Sequence, residues 1–423
     1  MNKLEKIILF LKKYLPMFLL LFFSYNPIIK YKQSSKILFA VYTVMFLIYT
    51  LFIIDVKILK KIWGILTGLI VLIVTIVFFQ RIILGFVSYL GVLNYIATML
   101  LSLSTLLYYR YYKIDFIDSY IKILVFLVVA SIPFWILNQF GFYGLPISEG
   151  SRLKTFLLYT TFEPSYVLRT TGNSLIRNSG MFWEPGAFAG YLILALVFIA
   201  LKNRKFQAGP YVKEVLIIII GLLTSQSTTG YLVFGMILVI HSIQTYRLGK
   251  IVIIPVLALS ISMVYLNVNF LREKIETQLT DTAKMDENDI SPGRFGALKM
   301  DWQYIKSQPL TGNGWHVSTR YRFHPQITEE NGIGHGNGMS NTMAIWGIPF
   351  FLFWLYCVYR FVFQLSRSSF TGWSSLFIII LLLQGEQFLY YPVFLSFFFL
   401  PFIYPNILSL KNKVFIYRSY FNL

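Results

Sequence analysis

The chain has 423 residues, of which 57% are hydrophobic, 18% aromatic and only 13% charged, and its mean hydropathy is +0.65. Soluble domains carry about 25% charged residues and disordered chains are poor in apolar ones, so composition excludes both and indicates a polytopic membrane protein. The formal net charge of +19, from 37 basic against 18 acidic residues, would suggest nucleic acid in a soluble protein, but in a membrane chain it is first a matter of topology.

A helix crosses a bilayer core with about 20 apolar residues. In chain order the predicted spans are 14–29, 37–54, 62–79, 82–107, 117–137, 187–201, 213–226, 228–243, 251–267, 339–359, 372–385 and 388–405. The first apolar stretch leads straight into further spans and lacks a small-residue cleavage site, so it reads as a span and not as a cleavable signal. The pair 213–226 and 228–243 is parted only by SQSTTG, Ser225 to Gly230, which fits a tight hairpin or a broken helix. The expected fold is an all-α integral membrane protein of about twelve transmembrane helices. Residues 1–137 hold the first five spans and 138–186 a long polar loop. Residues 187–267 hold the next four, 268–338 a larger loop with short amphipathic helices, and 339–423 the last three and a tail.

If both long loops lie on one side, the other side receives twenty-one of the 37 basic residues, from Lys3, Lys6, Lys12 and Lys13 through Lys57, Lys60 and Lys61 to Lys411, Lys413 and Arg418. Only the loop with Lys30, Lys32 and Lys36 disagrees. By the positive-inside rule both termini are then cytoplasmic, the long loops extracytoplasmic, and most of the charge excess is a topology signal that needs no nucleic acid. The single cysteine, Cys357, lies in an apolar run and cannot form an intrachain disulfide.

The chain has no Walker A loop, HExxH or CxxC motif, and His316, His324 and His335 are scattered without paired acids, a weak pattern for a metal. No metal or other cofactor is expected. In the larger loop, Ser291-Pro292-Gly293 resembles a helix start, with serine as N-cap and proline in the first turn. Phe295, Leu298, Trp302 and Ile305 would then form one apolar stripe lying on the membrane surface, and Pro309 would close the segment. Arg294 falls in the first turn, where the helix dipole disfavours a cation. It is either a solvated arginine or one that shares a bound anion with the backbone N–H groups. RNSGMFWEPGAFAG, Arg177 to Gly190, sets Arg177 and Glu184 at the mouth of a span, as a mutual pair or as functional charges. GIGHGNG, Gly332 to Gly338, offers close backbone approach around His335, a base for a hydroxyl or an incidental linker residue. Glu386, in QGEQ, is an acid that pairs with an arginine or an exposed loop residue.

In their order, RNSGMFWEPGAFAGY, SQSTTG, SPGRFGALKMDWQYIKSQPLTGNGWH and HGNGMSNTMAIWGI resemble the Wzy-type polysaccharide polymerases of the O-antigen ligase superfamily over about residues 170–350. The chain departs from the family pattern at Gly186, where Asn is frequent, at Thr228 and Thr229, where Arg is frequent, and at Gly336, which shifts Asn337 by one residue from His335. The resemblance implies a glycosyltransferase at the outer face of the cytoplasmic membrane. It would use an undecaprenyl-diphosphate-linked oligosaccharide and membrane lipid, with a chain-length regulator protein as partner. In this reading Arg177, Arg294 and His335 are catalytic. Arg169, Glu184, Trp302, Arg320, Arg322, Asn337 and Glu386 contact substrate. Two arginines can neutralise a lipid diphosphate leaving group without a metal. Trp183, Trp302, Trp315 and Tyr321 are either sugar-stacking rings or interfacial anchors. The acceptor is the sugar of another lipid-linked repeat (a polymerase) or lipid A core (a ligase). A transporter would instead place functional charges within its spans, which here are nearly charge-free.

Overall fold

The computed structural model describes residues 3–24, 26–31, 33–142, 147–149, 153–162, 176–245, 276, 279–280, 282–285, 289–290, 293–328 and 336–404. Helices dominate. The N-terminal half has α1 (Lys3–Phe22), α2 (Pro27–Tyr31), α3 (Gln33–Ile53), α4 (Val56–Leu84), α5 (Tyr89–Tyr111) and α6 (Phe116–Gln139). Then come α7 (Pro185–Asn203), α8 (Val212–Ser225), α9 (Thr228–Thr245), α10 (Arg294–Ser307) and α11 (Val317–Arg320). The C-terminal part has α12 (Gly338–Trp346), α13 (Ile348–Ser366), α14 (Ser369–Gly385), α15 (Pro392–Leu395) and α16 (Leu400–Ile403).

Among the described residues seven helices, α3, α4, α5, α6, α7, α9 and α13, are long and apolar enough to cross a membrane. The sequence reading had twelve segments, and the differences have local causes. Segment 251–267 lies outside the described residues. Segments 213–226 and 372–385 form the short helices α8 and α14. Segment 339–359 is two helices parted at Gly347, whose φ of 84° ends α12, and whose Cβ, if it had one, would strike the Leu310 carbonyl. The break expected between 79 and 82 falls at 85–88, where the Ser88 side chain caps α5.

Segment 388–405 departs most from a continuous span. It runs as a 3-10 turn (Phe388–Tyr390), α15, a second 3-10 turn (Ser396–Phe398) and α16. Pro392 and Pro401 lack the N–H that a continuous helix needs there. Irregular backbone is tolerated at membrane depth only where protein covers it. All but Tyr390 and Phe402 of its described residues are buried, and carbonyls among them are met by Tyr95 (to Leu389, 3.1 Å), Ser102 (to Pro392, 2.6 Å) and Trp354 (to Phe394, 3.0 Å).

Helix α7 is the centre of the bundle. It is apolar all round, almost wholly buried, and flanked by α6, α8, α9, α13 and α14. Its 19 residues span about 28 Å, close to the ~30 Å of a hydrocarbon core. Polar side chains gather at both of its ends. At the Lys202 end, the ammonium meets Asp118 and, at 2.9 Å, Asp115; Tyr211 donates to Asp118 at 2.6 Å and Tyr404 to Asp115 at 2.9 Å. The α8–α9 pair is a hairpin. Its tip lies toward the Glu184 end, and Gln244 near the end of α9 returns to accept from Phe206 N at 2.6 Å. Residues 388–404 likewise run from the Glu184 end to the Tyr404–Asp115 contact.

Two features of the loops add detail to the sequence reading. The fold is helical as expected, and the loop 138–186 adds a small antiparallel sheet to it. Its strands β1 (Ser148–Glu149), β2 (Leu153–Phe156), β3 (Tyr159–Phe162) and β4 (Arg177–Asn178) lie in that order, with Phe156 opposite Tyr159 and Phe162 opposite Arg177. Threonine and aromatic residues favour such pairing, but in stretches too short to register against twelve hydrophobic runs. In the other loop, α10 begins after Gly293, and Ser291 and Pro292 lie outside the described residues. Its buried face is Gly296, Ala297, Met300, Asp301, Tyr304 and Ile305, while Phe295 and Trp302 are 49% and 54% exposed. The helix packs on α12 through this buried face.

The segment after α10 is laced to the bundle through backbone. Ile348 N donates to Pro309 O at 2.8 Å and Asn313 N to Ala344 O at 2.7 Å. Gln80, buried near the end of α4, donates through Nε2 to Thr311 O at 2.6 Å and Ile345 O at 2.8 Å. Gln80→Ala should remove a donor from both carbonyls, leaving Ile345 O with Gly314 N at 3.1 Å, and lower unfolding free energy by about 1–3 kcal/mol, read by unfolding of the detergent-solubilised protein.

Candidate active site

Arg294, the first residue of α10, holds three elements together. Its Nε donates to Gly385 O at 3.1 Å, Nη1 donates to Thr229 Oγ1, and Nη2 lies 3.4 Å from Glu386 Oε1. The unfavourable field of its own helix N-terminus is met by the C-terminal carbonyl end of α14. Arg177, in β4, is placed in the same way: its Nε donates to Ser225 O at 3.3 Å, at the C-terminal end of α8, and its guanidinium lies 5.8 Å from the Phe162 ring centroid. Burial lowers the Arg177 pKa to about 10; Glu184 and Glu386 oppose this and the nearby Arg294 adds to it. The two long loops therefore converge at one end of the bundle.

Two carboxyls face these cations. Glu184 occupies the N-cap position of α7, but its side chain makes no capping hydrogen bond. Glu386 follows the last residue of α14, is 7% exposed, and lies near enough to Glu184 to feel its charge. Burial, and then the neighbouring Glu184, raise the Glu386 pKa well above the usual carboxylate range, with Arg294 acting the other way. Both carboxyls lie over Gly186, where an added Cβ would lie 2.5 Å from Glu386 Oε1 and 3.4 Å from Glu184 Oε1, so that the Glu386 carboxyl would have to shift. A small pocket opens beside this cluster, lined by Gly186, Gly190, Thr229, Arg294, Gly385 and Glu386 among others. Such a site can set an anion against the Arg294 guanidinium, with the charge of Arg177 nearby.

Of the sequence-predicted residues, Arg177, Arg294, Glu184 and Glu386 come together. Arg177 and Glu184 form no direct ion pair among the described contacts; Glu184 lies near Glu386, and Arg294 takes Glu386 as its acidic neighbour. Asn337 stands beside the cluster as the N-cap of α12, accepting from Ser340 N at 3.0 Å and donating to Gln384 Oε1 at 2.8 Å, so its amide is engaged with protein. Arg320 is 2% exposed and is bonded to Asp301 and to Asn341 Oδ1 at 2.9 Å, between the rings of Tyr304 and Tyr321. It joins α10, α11 and α12. Trp302 and Arg322 are exposed, the latter over Phe323. Trp315 packs against Tyr390 with ring centroids 4.7 Å apart. His335 and Arg169 lie outside the described residues. Among the described residues no group of three or more His, Cys, Asp or Glu side chains is placed to hold a metal ion.

Sequence reasoning missed Thr229 and the carbonyls of Gly385 and Ser225 as partners of the arginines. The signal for Thr229 was its place at the tip of SQSTTG; backbone acceptors leave no residue signature.

The fold and site together define a multi-pass helical membrane protein with a buried, doubly cationic polar site at one end of its bundle. Residues 215–355 match the family model described as O-Antigen ligase, a match consistent with a protein of the O-antigen ligase superfamily, whose role is in polysaccharide assembly. Searches of curated proteins and of solved structures found no match. Arg294, Thr229 and Asn337 fall inside the matched stretch; Arg177, Glu184 and Glu386 fall outside it.

The Arg320–Asp301 pair yields a stability prediction. Asp301→Ala strands a buried guanidinium and should lower unfolding free energy by about 3–5 kcal/mol, whereas Asp301→Ala with Arg320→Met should recover much of that in the same unfolding assay.

Proposed function

We propose that this protein is a polysaccharide polymerase, a membrane-integral glycosyltransferase acting at the extracytoplasmic face of the cytoplasmic membrane. It moves a glycan from undecaprenyl diphosphate to a sugar hydroxyl of another lipid-linked repeat. The observation that carries this reading is the convergence of Arg177 and Arg294, from two loops far apart in sequence, at one polar site on an otherwise apolar bundle. In the reaction the bond from the sugar anomeric carbon to the diphosphate oxygen breaks, and a bond to the acceptor oxygen forms. The two guanidinium groups take up charge on the leaving diphosphate, with no metal required. The acceptor proton passes to a base, the role given to His335 by its resemblance to the family motif. The apolar helices let the prenyl tail stay in lipid. A chain-length regulator is the protein partner that such a polymerase calls for.

The family description favours a second reading, transfer of finished polymer to lipid A core. A null strain separates the two: loss of a polymerase leaves single repeats on the core, and loss of a ligase leaves polymer on the carrier lipid.

Arg294→Ala and Arg177→Ala should each reduce polymer formation by about 10²–10³-fold while membrane insertion is unchanged, measured with lipid-linked repeats in membranes. Activity should persist in EDTA. Full polymer from both variants would overturn the site assignment.

A further inference from the structure

The tip of the α8–α9 hairpin touches both arginines. Arg177 Nε reaches Ser225 O, the last carbonyl of α8, at 3.3 Å, and Arg294 Nη1 donates to Thr229 Oγ1 in the first turn of α9. The first N–H groups of a helix lack intrahelical acceptors and need partners from elsewhere. At the start of α9, Ser227 serves two groups: Gly230 N donates to its Oγ at 3.2 Å and Tyr231 N to its carbonyl at 2.8 Å. The N–H groups of Thr228 and Thr229 find no acceptor among the described residues. The Thr228 side chain is a second, independent sign. It is 7% exposed, and its hydroxyl has no hydrogen-bond partner among the described residues. A buried hydroxyl without a partner costs stability, so packing alone gives no reason for it. Its direction follows from helix geometry, in which successive side chains stand about 100° apart. Thr229 faces Arg294 and α14, where a Cβ added at Gly385 would lie 2.9 Å from Thr229 Cγ2. Gly230 faces α7, where its own added Cβ would lie 2.8 Å from Ala189 Cβ. Tyr231 turns to the last turn of α8, its hydroxyl donating to Leu223 O at 2.8 Å. Thr228 therefore points away from α7, between the side that meets Arg294 and the side where Arg177 meets α8.

We infer that the start of α9 is a phosphate-binding element, in which the N–H groups of Thr228 and Thr229 and the Thr228 hydroxyl hold a phosphate group between the two guanidinium groups. A helix N-terminus presents oriented donors and a partial positive charge, and both suit a phosphate. Here that terminus stands between two cations, so three positive features converge, and an anion is the ligand that satisfies all of them. A pocket lined by Thr229, Gly230 and Arg294 opens at the same place. The orphan hydroxyl gains a partner only when the phosphate is bound, and the cost of leaving it unpaired falls on the empty site. That the phosphate belongs to a lipid-linked diphosphate rests on the reading given under Proposed function; the phosphate-binding element rests on the hairpin geometry.

The test uses the full chain in nanodiscs, with inorganic pyrophosphate and farnesyl diphosphate as probes. Thr228→Val keeps the shape of the side chain and removes its hydroxyl. Pyrophosphate binding should weaken about ten- to a hundredfold, the scale of one hydrogen bond to a charged group. Thermal unfolding of the ligand-free variant should stay in place or move up, because an unsatisfied buried hydroxyl has been removed. Thr228→Ser restores the hydroxyl and should bind as wild type does. Wild-type affinity in Thr228→Val would overturn the inference. So would a Ser variant as weak as the Val variant, since the methyl group and not the hydroxyl would then matter. The backbone is read by nuclear magnetic resonance with isotope-labelled threonine: the amide signals of Thr228 and Thr229 should move as pyrophosphate is added, and signals that stay in place at saturation would overturn the inference as well. The two probes keep the donor reading separate. Pyrophosphate binding that depends on Thr228, with farnesyl diphosphate failing to compete for the site, would leave the phosphate element standing and overturn the lipid-linked donor. A wild-type protein that binds neither probe would overturn both.

Discussion

Guanidinium groups held at the edge of an apolar bundle need partners, and here helix ends provide them. Arg294 donates to the last carbonyl of α14 and Arg177 to the last carbonyl of α8. Each helix terminus has carbonyls without intrahelical partners and a partial negative charge. One contact therefore satisfies an orphan acceptor and a buried cation together. The arrangement requires that α8 and α14 end at the same level, and that α10 begins there. The lengths of α8 and α14, the tip of the α8–α9 hairpin and the start of residues 388–404 all follow from this constraint.

The rest of the bundle serves to hold that level. α7 is apolar on every side and fixes the distance between two polar ends. At the far end Lys202, Asp115, Asp118, Tyr211 and Tyr404 form a set of ion pairs and hydrogen bonds, which anchors α6, α7 and the end of the C-terminal segment. At the near end, Gln80 and the Arg320–Asp301 pair fasten the loop that carries Arg294. Positioning at the site is thus distributed over residues that do not themselves face the pocket.

The membrane fold was legible because hydrophobic runs and basic loops are dominated by one-dimensional composition. The hairpin at SQSTTG could be placed but not resolved, since a tight turn and a broken helix have the same residues; only the return of Gln244 to Phe206 decides between them. The buried face of α10 was not legible in its apolar stripe for a related reason. Phe295 and Trp302 are more apolar than Asp301 and Gly296, but a buried Asp301 with Arg320, Asn341 and Ser340 around it is satisfied, and its ion pair chose the face that turns inward. The sheet in the first loop escaped notice because four strands of two to four residues leave little periodicity.

Arg177, Arg294, Glu184 and Glu386 were all visible as rare charges near span ends, because a chain with so few charges outside its basic loops makes each one informative. Arg320 had the same appearance and proved to be fastened to Asp301, a distinction that residue type cannot make. By itself the sequence determined a helical membrane protein, its family resemblance and a short roster of candidate charges, all properties set by composition and local spacing. Only the tertiary structure decided which charges meet, that Arg294 takes Glu386 as its acidic neighbour, and that helix C-termini receive the arginines. Those outcomes depend on the relative heights of helices remote in sequence, and on backbone acceptors that every residue possesses.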